Sequence, residues 1–160
     1  MIRNTFAAAL GALILTAVIA GPARAQALPE GAATLYAGND RGANFLIDDT
    51  IVRDGSRVRF ANFRVFANLI EVPGGPIAMD VSTMVIDCAA RTVTVSGMDT
   101  YKASGDPVVQ FPGEPTEAIA ADSTWDFAAR VLCDGVVMPP QQTRTGWRDA
   151  RAMALGMLGR

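Results

Sequence analysis

The sequence predicts an α+β domain: an antiparallel β-sheet of about five to six strands, a C-terminal helix packed on it, and one disulfide. Three observations lead there. From position 34 onward, short segments rich in Val, Ile, Phe and Thr alternate with turn residues, the pattern of an antiparallel sheet. Near residue 125 the apolar period changes from two to that of a helix. Two cysteines, Cys88 and Cys133, lie in a chain that opens with an export signal. A length of 160 residues suits one domain with a real core.

Residues 1–25 read as a signal peptide. Arg3 supplies a positive start, Phe6 to Ala20 is uncharged and apolar, and Gly21-Pro22 breaks the segment. Ala23-Arg24-Ala25 then places small residues where a signal peptidase reads them, so cleavage is expected between Ala25 and Gln26. Ala25-Gln26-Ala27 offers a second site two residues on. A membrane anchor is the other reading of the uncharged stretch, and the Gly-Pro break with its Ala-x-Ala pair argues against it. No cysteine lies near the cleavage site, so lipid anchoring is unavailable. The expected location is the periplasm or the exterior of a bacterium, with no stable membrane anchor after cleavage.

Residues 26–33 read as a flexible leader and residues 34–135 as the domain. Thr34 to Ala37 is the first expected strand, ended by Gly38-Asn39-Asp40. Asn44 to Asp48 is the second, and Asp54-Gly55 carries a hairpin signal. Arg57 to Phe66 is a long strand. Val58 and Phe60 share one phase while Phe63 and Val65 share the other, which predicts a bulge or bend near Ala61-Asn62. Asn68 to Pro76 reads as a loop. Ile77 to Cys88 follows as a strand, then Thr92 to Met98, which alternates Thr or Ser with Val. Val108 to Phe111 is a short last strand.

Ser123-Thr124-Trp125-Asp126 resembles a capping box with Asp in place of Glu or Gln. A helix from Thr124 to about Cys133 should follow, with Trp125, Ala128, Ala129 and Leu132 on one face and Gly135 ending it. Residues 136–160 form a C-terminal tail after Pro139-Pro140. It is either a frayed terminus or a short helix over Trp147 to Leu158.

An exported chain meets an oxidising compartment, where an even cysteine count implies disulfides. Cys88 and Cys133 allow one pairing. It closes a loop of about 45 residues, stabilising by on the order of 3–4 kcal/mol in the chain-entropy model.

The composition excludes several functions. The chain has no histidine, so Ser-His-Asp and Cys-His systems and histidine metal sites cannot form. Two cysteines cannot complete an all-thiolate zinc site. The formal net charge is -2, and loss of Arg3 and Arg24 from the 14 basic residues leaves 12 against 16 acidic, or -4. Nothing there attracts nucleic acid. Neither a cofactor nor a metal is expected. Asp48, Asp49 and Asp54 are the nearest approach to a carboxylate pair for acid–base work, but they read better as turn residues. Arg57, Arg59 and Arg64 are the candidate binding surface, a positive strip on one sheet face able to meet carboxylates. The competing reading is a solvated face with cross-strand acid partners.

Taken together, Phe45-Leu46-Ile47-Asp48, the run Ile51-Val52-Arg53-Asp54-Gly55-Ser56-Arg57-Val58-Arg59, Val85-Ile86-Asp87-Cys88 with Arg91, Tyr101, and the serine-opened helix ending in Val131-Leu132-Cys133 form a pattern. In that order they resemble the surface-adhesin protein E family of exported bacterial proteins, over about residues 34–134. The resemblance implies a small antiparallel sheet with a packed helix and a Cys88–Cys133 bridge, and binding rather than catalysis. It carries over no binding residue. The founding type is lipid-anchored, whereas this signal lacks the cysteine. A tryptophan familiar before the terminal helix is replaced here by Ala118-Ile119-Ala120.

The expected function is therefore an exported, non-catalytic module that binds a protein or cell-envelope partner through its sheet surface or edge. An exposed edge also permits a homodimer. The alternatives are an envelope accessory protein with no adhesive role and, further off, a carboxylate-based periplasmic hydrolase.

Overall fold

A computed structural model of the chain describes residues 26–160. The expected signal peptide, including Ala25 of the cleavage pair, lies outside the described residues.

Among the described residues eight strands and two α-helices follow in chain order: β1 Ala32–Asn39, β2 Gly42–Asp54, β3 Arg57–Val72, β4 Gly75–Asp87, β5 Thr92–Tyr101, β6 Pro107–Pro112, β7 Glu117–Ala118, α1 Thr124–Leu132, β8 Thr143–Thr145 and α2 Gly146–Met157. All pairings are antiparallel, in the spatial order β6-β5-β4-β3-β2-β1-β8, with β7 beside the start of β5. The sheet is thus larger than the expected five to six strands. The additions include β7 and β8, two and three residues long. Segments that short cannot display an alternating pattern.

The irregularity expected near Ala61-Asn62 lies in the facing strand: β2 shifts register between Ile47 and Val52, opposite Ala61 and Arg59. Pairing of β3 with β4 runs unbroken from Arg57–Asp87 to Val65–Met79. Phase appeared to slip because both faces of β3 are buried. Val58 and Phe60 face one core, and Ala61, Phe63 and Val65 face another. An irregularity does occur between Val65 and Ile70. Beyond it β3 and β4 continue as a hairpin through most of the expected loop, turning at Pro73-Gly74. Gly74 and Gly75 there hold φ of 104° and 115°, which a side chain would resist.

Each helix closes one face. Ala128, Ala129 and Leu132 of α1 pack on Val58, Phe60, Met84, Ile86 and Val93. The expected cap is present: Ser123 Oγ accepts from the Asp126 N–H at 3.2 Å. The reciprocal bond shifts by one residue, since the shorter Asp126 carboxylate accepts from Asp122 N–H rather than from Ser123. At the far end Cys133 caps α1 and is bonded to Cys88. Arg91, in the β4–β5 turn, pairs with both Asp126 and Asp134. Bridge and ion pairs together fasten α1 to one end of the sheet.

Residues 136–160 are neither frayed nor separate. β8 pairs with Ala32–Thr34 of β1, and Trp147, Ala150 and Ala154 of α2 pack on the Phe45, Phe63 and Val65 face. The Trp147 ring sits so close to Gly105 that a Cβ there would come within 2.9 Å of it. The segment expected to be a flexible leader is also engaged. Ala32 and Ala33 belong to β1, Leu28 joins the core, and the carbonyls of Pro29 and Gly31 accept from Trp147 and Gly146 N–H. These bonds satisfy the unpaired donors of the first turn of α2.

Candidate functional site

Strand alternation splits the expected arginine strip. Arg57 and Arg59 project from the face that α2 covers elsewhere, while Arg64 is an odd number of residues away and points to the α1 face. Arg57 is 72% exposed, lies 3.6 Å from the Asp87 carboxylate and sits opposite Asp54 on β2. For Arg57 this is the solvated cross-strand arrangement. Asp48 and Asp49 sit on β2, where Thr34 Oγ1 donates to Asp48 Oδ2 at 3.0 Å. Burial raises the Asp48 carboxyl above its ordinary range, and the neighbouring Asp49 adds to the rise. Asp54 is the last residue of β2, so Asp48, Asp49 and Asp54 all lie in the strand rather than in turns, Asp54 just before the β2–β3 turn. Among the described residues no three or more His, Cys, Asp and Glu side chains converge as for a metal ion.

Arg64 belongs to a different construction. The α1 face of the sheet is apolar beneath the helix, but beyond its first turn the core positions become polar. Register aligns Asn44, Arg64, Asp80 and Thr100 across β2 to β5, and Asn62 and Ser82 in the adjacent row. Asn62, Asp80 and Thr100 are at most 1% exposed. Buried polar side chains in core phase are the informative exception to apolar packing. Each has a partner. Arg64 Nε donates to Asp80 Oδ2 at 2.7 Å, and Ser82 Oγ donates to the other oxygen at 3.3 Å. Tyr36 Oη donates to Asn62 Oδ1 at 2.9 Å, and Thr100 Oγ1 donates to Val109 O at 2.7 Å. Burial pushes the Asp80 carboxyl up, and the Arg64 guanidinium pulls it back. Burial also raises the Tyr36 phenol, so it remains a neutral donor.

Above this polar floor the surface is concave. One cleft of about 820 Å³ runs from Asn44 and Arg64 past Phe66 and Ile70 to Trp125. A second, of about 300 Å³, lies between Arg64, Met98, Phe111 and Trp125. They meet at Arg64 and Trp125. The guanidinium, 37% exposed, lies 4.6 Å over the Phe66 ring, a cation–π geometry that holds its plane fixed. Trp125 overhangs from the first turn of α1, which is pinned at its other end by the disulfide. Aromatic walls, a fixed guanidinium and carboxamides form a surface suited to hold an extended chain by apolar contact and hydrogen bonds.

Of this site, the sequence reading found only Arg64, and placed it with the wrong neighbours. Asn62 and Asp80 interrupt otherwise apolar strands, and that interruption was the available signal. Their convergence depends on register between strands 16 or more residues apart.

The comparisons with known proteins agree with this architecture. The model of the family described as surface-adhesin protein E matches residues 34–134. No curated protein matches the chain. Among solved structures, crystal form II of Haemophilus influenzae protein E is similar, with a TM-score of 0.52 and 18% identity, over 71% of this chain and 98% of that one. The selenomethionine form of the same protein gives a TM-score of 0.50 and 15% identity, over 69% and 94%. At those identities the likeness shows the fold. Among the described residues no helix is long and apolar enough to cross a membrane.

Proposed function

The chain belongs to the surface-adhesin protein E family, and from that membership we propose that it is an exported, non-catalytic binding module whose Arg64–Trp125 cleft engages a protein or cell-envelope partner. The observation that carries the cleft is its floor. Buried polar side chains at core positions, Asn62, Asp80 and Thr100, cost desolvation that apolar ones would avoid, and the Asp80 carboxylate among them fixes the partly exposed Arg64 that faces the open surface. Arg and Trp are the residue types that dominate binding energy at such surfaces. The reading includes export through residues 1–25 with cleavage at Ala25–Gln26. The Cys88–Cys133 bond supports it, because such bonds persist in oxidising compartments.

Photo-crosslinking in living cells tests the cleft. A crosslinking side chain at Asn68, which lines the cleft, should capture a partner that the same group at Arg59 on the opposite face does not. Trp125→Ala should reduce that capture about tenfold or more, while the variant keeps its thermal midpoint within a few degrees. Capture from Arg59 and not from Asn68 would move binding to the other face. No capture from either site would favour an accessory envelope role. Protease treatment of intact cells, followed by blotting, separates a surface from a periplasmic location.

A further inference from the structure

We propose that the mature amino terminus is itself a ligand of this fold: once the signal peptide is removed, the Gln26 α-ammonium seats in a recess of the sheet and pairs with Asp99.

Three observations place it. Gln26 N lies 2.9 Å from Asp99 Oδ2, across 73 residues of sequence. The Gln26 side chain is held as well, with Thr83 Oγ1 donating to its Oε1 at 3.3 Å. Both contacts fall in a recess of about 430 Å³ lined by Gln26, Thr83, Ser96, Gly97, Asp99 and Gln110. Downstream, the chain is fixed by the bonds from α2 to the Pro29 and Gly31 carbonyls. Residue 26 is therefore delivered to Asp99 by anchored backbone.

Asp99 is incompletely served in the uncleaved chain. It is 6% exposed, yet none of the ion pairs among the described residues includes it. Its nearest donor is a neutral amide. A buried carboxylate is normally paired with a cation. Hydrolysis of the Ala25–Gln26 peptide bond supplies one: the carboxyl group leaves with Ala25, and the nitrogen beside Asp99 becomes an ammonium. The inference rests on the cleavage position proposed above. Its consequence is that processing stabilises the fold, so the exported product is more stable than its precursor.

The test begins with intact mass and N-terminal sequencing of the exported protein. A start at Leu28, after the second candidate site, would overturn both the cleavage position and the ion pair. With a start at Gln26, a double-mutant cycle decides the pair alone. One arm is Asp99→Asn. The other is enzymatic cyclisation of Gln26, in which the α-nitrogen closes on the side-chain amide carbon, ammonia leaves and the charge is lost. Each change alone should lower the folding equilibrium constant by roughly tenfold or more, and the two together should lower it no further than one. Strictly additive effects, or no effect of cyclisation, would overturn the ion pair while leaving the cleavage position intact.

Discussion

At the scale of single residues, the Arg64–Asp80 pair dominates the α1 face. Asp80 has no exposed surface, so its charge depends on Arg64 and Ser82 for compensation. Removing one partner of a buried pair is far more damaging than removing both. Arg64→Met should therefore destabilise by roughly 3 kcal/mol, at the low end of the buried-pair range because Arg64 is partly solvated. Arg64→Met combined with Asp80→Leu should recover most of that loss. Urea unfolding of the three proteins checks it, and a double variant less stable than the single one would refute the argument. Residue identity alone gave no access to this pair. Arg64 and Arg59 look equivalent in the sequence, and the five-residue spacing between them puts them on opposite faces of an unbroken strand.

At the scale of elements, α1 and its attachments were the most legible part. The serine cap, the i, i+3, i+4, i+7 face and the second cysteine are all local signals, and the helix forms within a residue of its expected bounds. What stayed hidden was Arg91, which reaches α1 from a turn 35 residues away. The Asp126 carboxyl is held below its ordinary range, first by the Asp122 N–H and then by Arg130 and Arg91. A depressed carboxylate contributes stability above its unfolded value, about pH 4, that is lost as pH falls through the folded value. The urea midpoint of the wild type should therefore drop more steeply below about pH 4 than that of Asp126→Asn. Parallel curves would mean that Asp126 is not the group whose protonation loosens α1. By contrast, α2 was legible only as one of two alternatives, although it forms within a residue of the expected Trp147–Leu158. Glycines at 146 and 156 weaken its helical signal, and its docking depends on Pro29 and Gly31, more than a hundred residues earlier.

At the scale of the molecule, the sheet is a middle layer with a helix on each face. A sheet expected to have one wet face instead has two cores, and the apparent phase slip in β3 was the trace of the second. The family match ends at residue 134, whereas β8 and α2 lie beyond it. A chain ending at Pro139 keeps the matched region but uncovers Leu35, Phe45, Phe63 and Val65. We expect that truncation to lose cooperative unfolding and to bind a hydrophobic dye in buffer, as a loosened core does. Retention of the wild-type near-UV circular dichroism would show that α2 is dispensable.

The polar floor also decides how a partner approaches. Arg64 and Asp80 cancel within the cleft, while the processed chain as a whole carries about four negative charges by the sequence count. A neutral couple has a field that falls off within a few ångströms and depends on orientation. For the docking proposed above, this couple adds no steering from a distance, and the expected association rate is the unsteered one of about 10⁵–10⁶ M⁻¹s⁻¹. In exchange, added electrolyte should take little from a bound state in which the partner covers the exposed part of Arg64, because screening erodes exposed charges far more than buried ones.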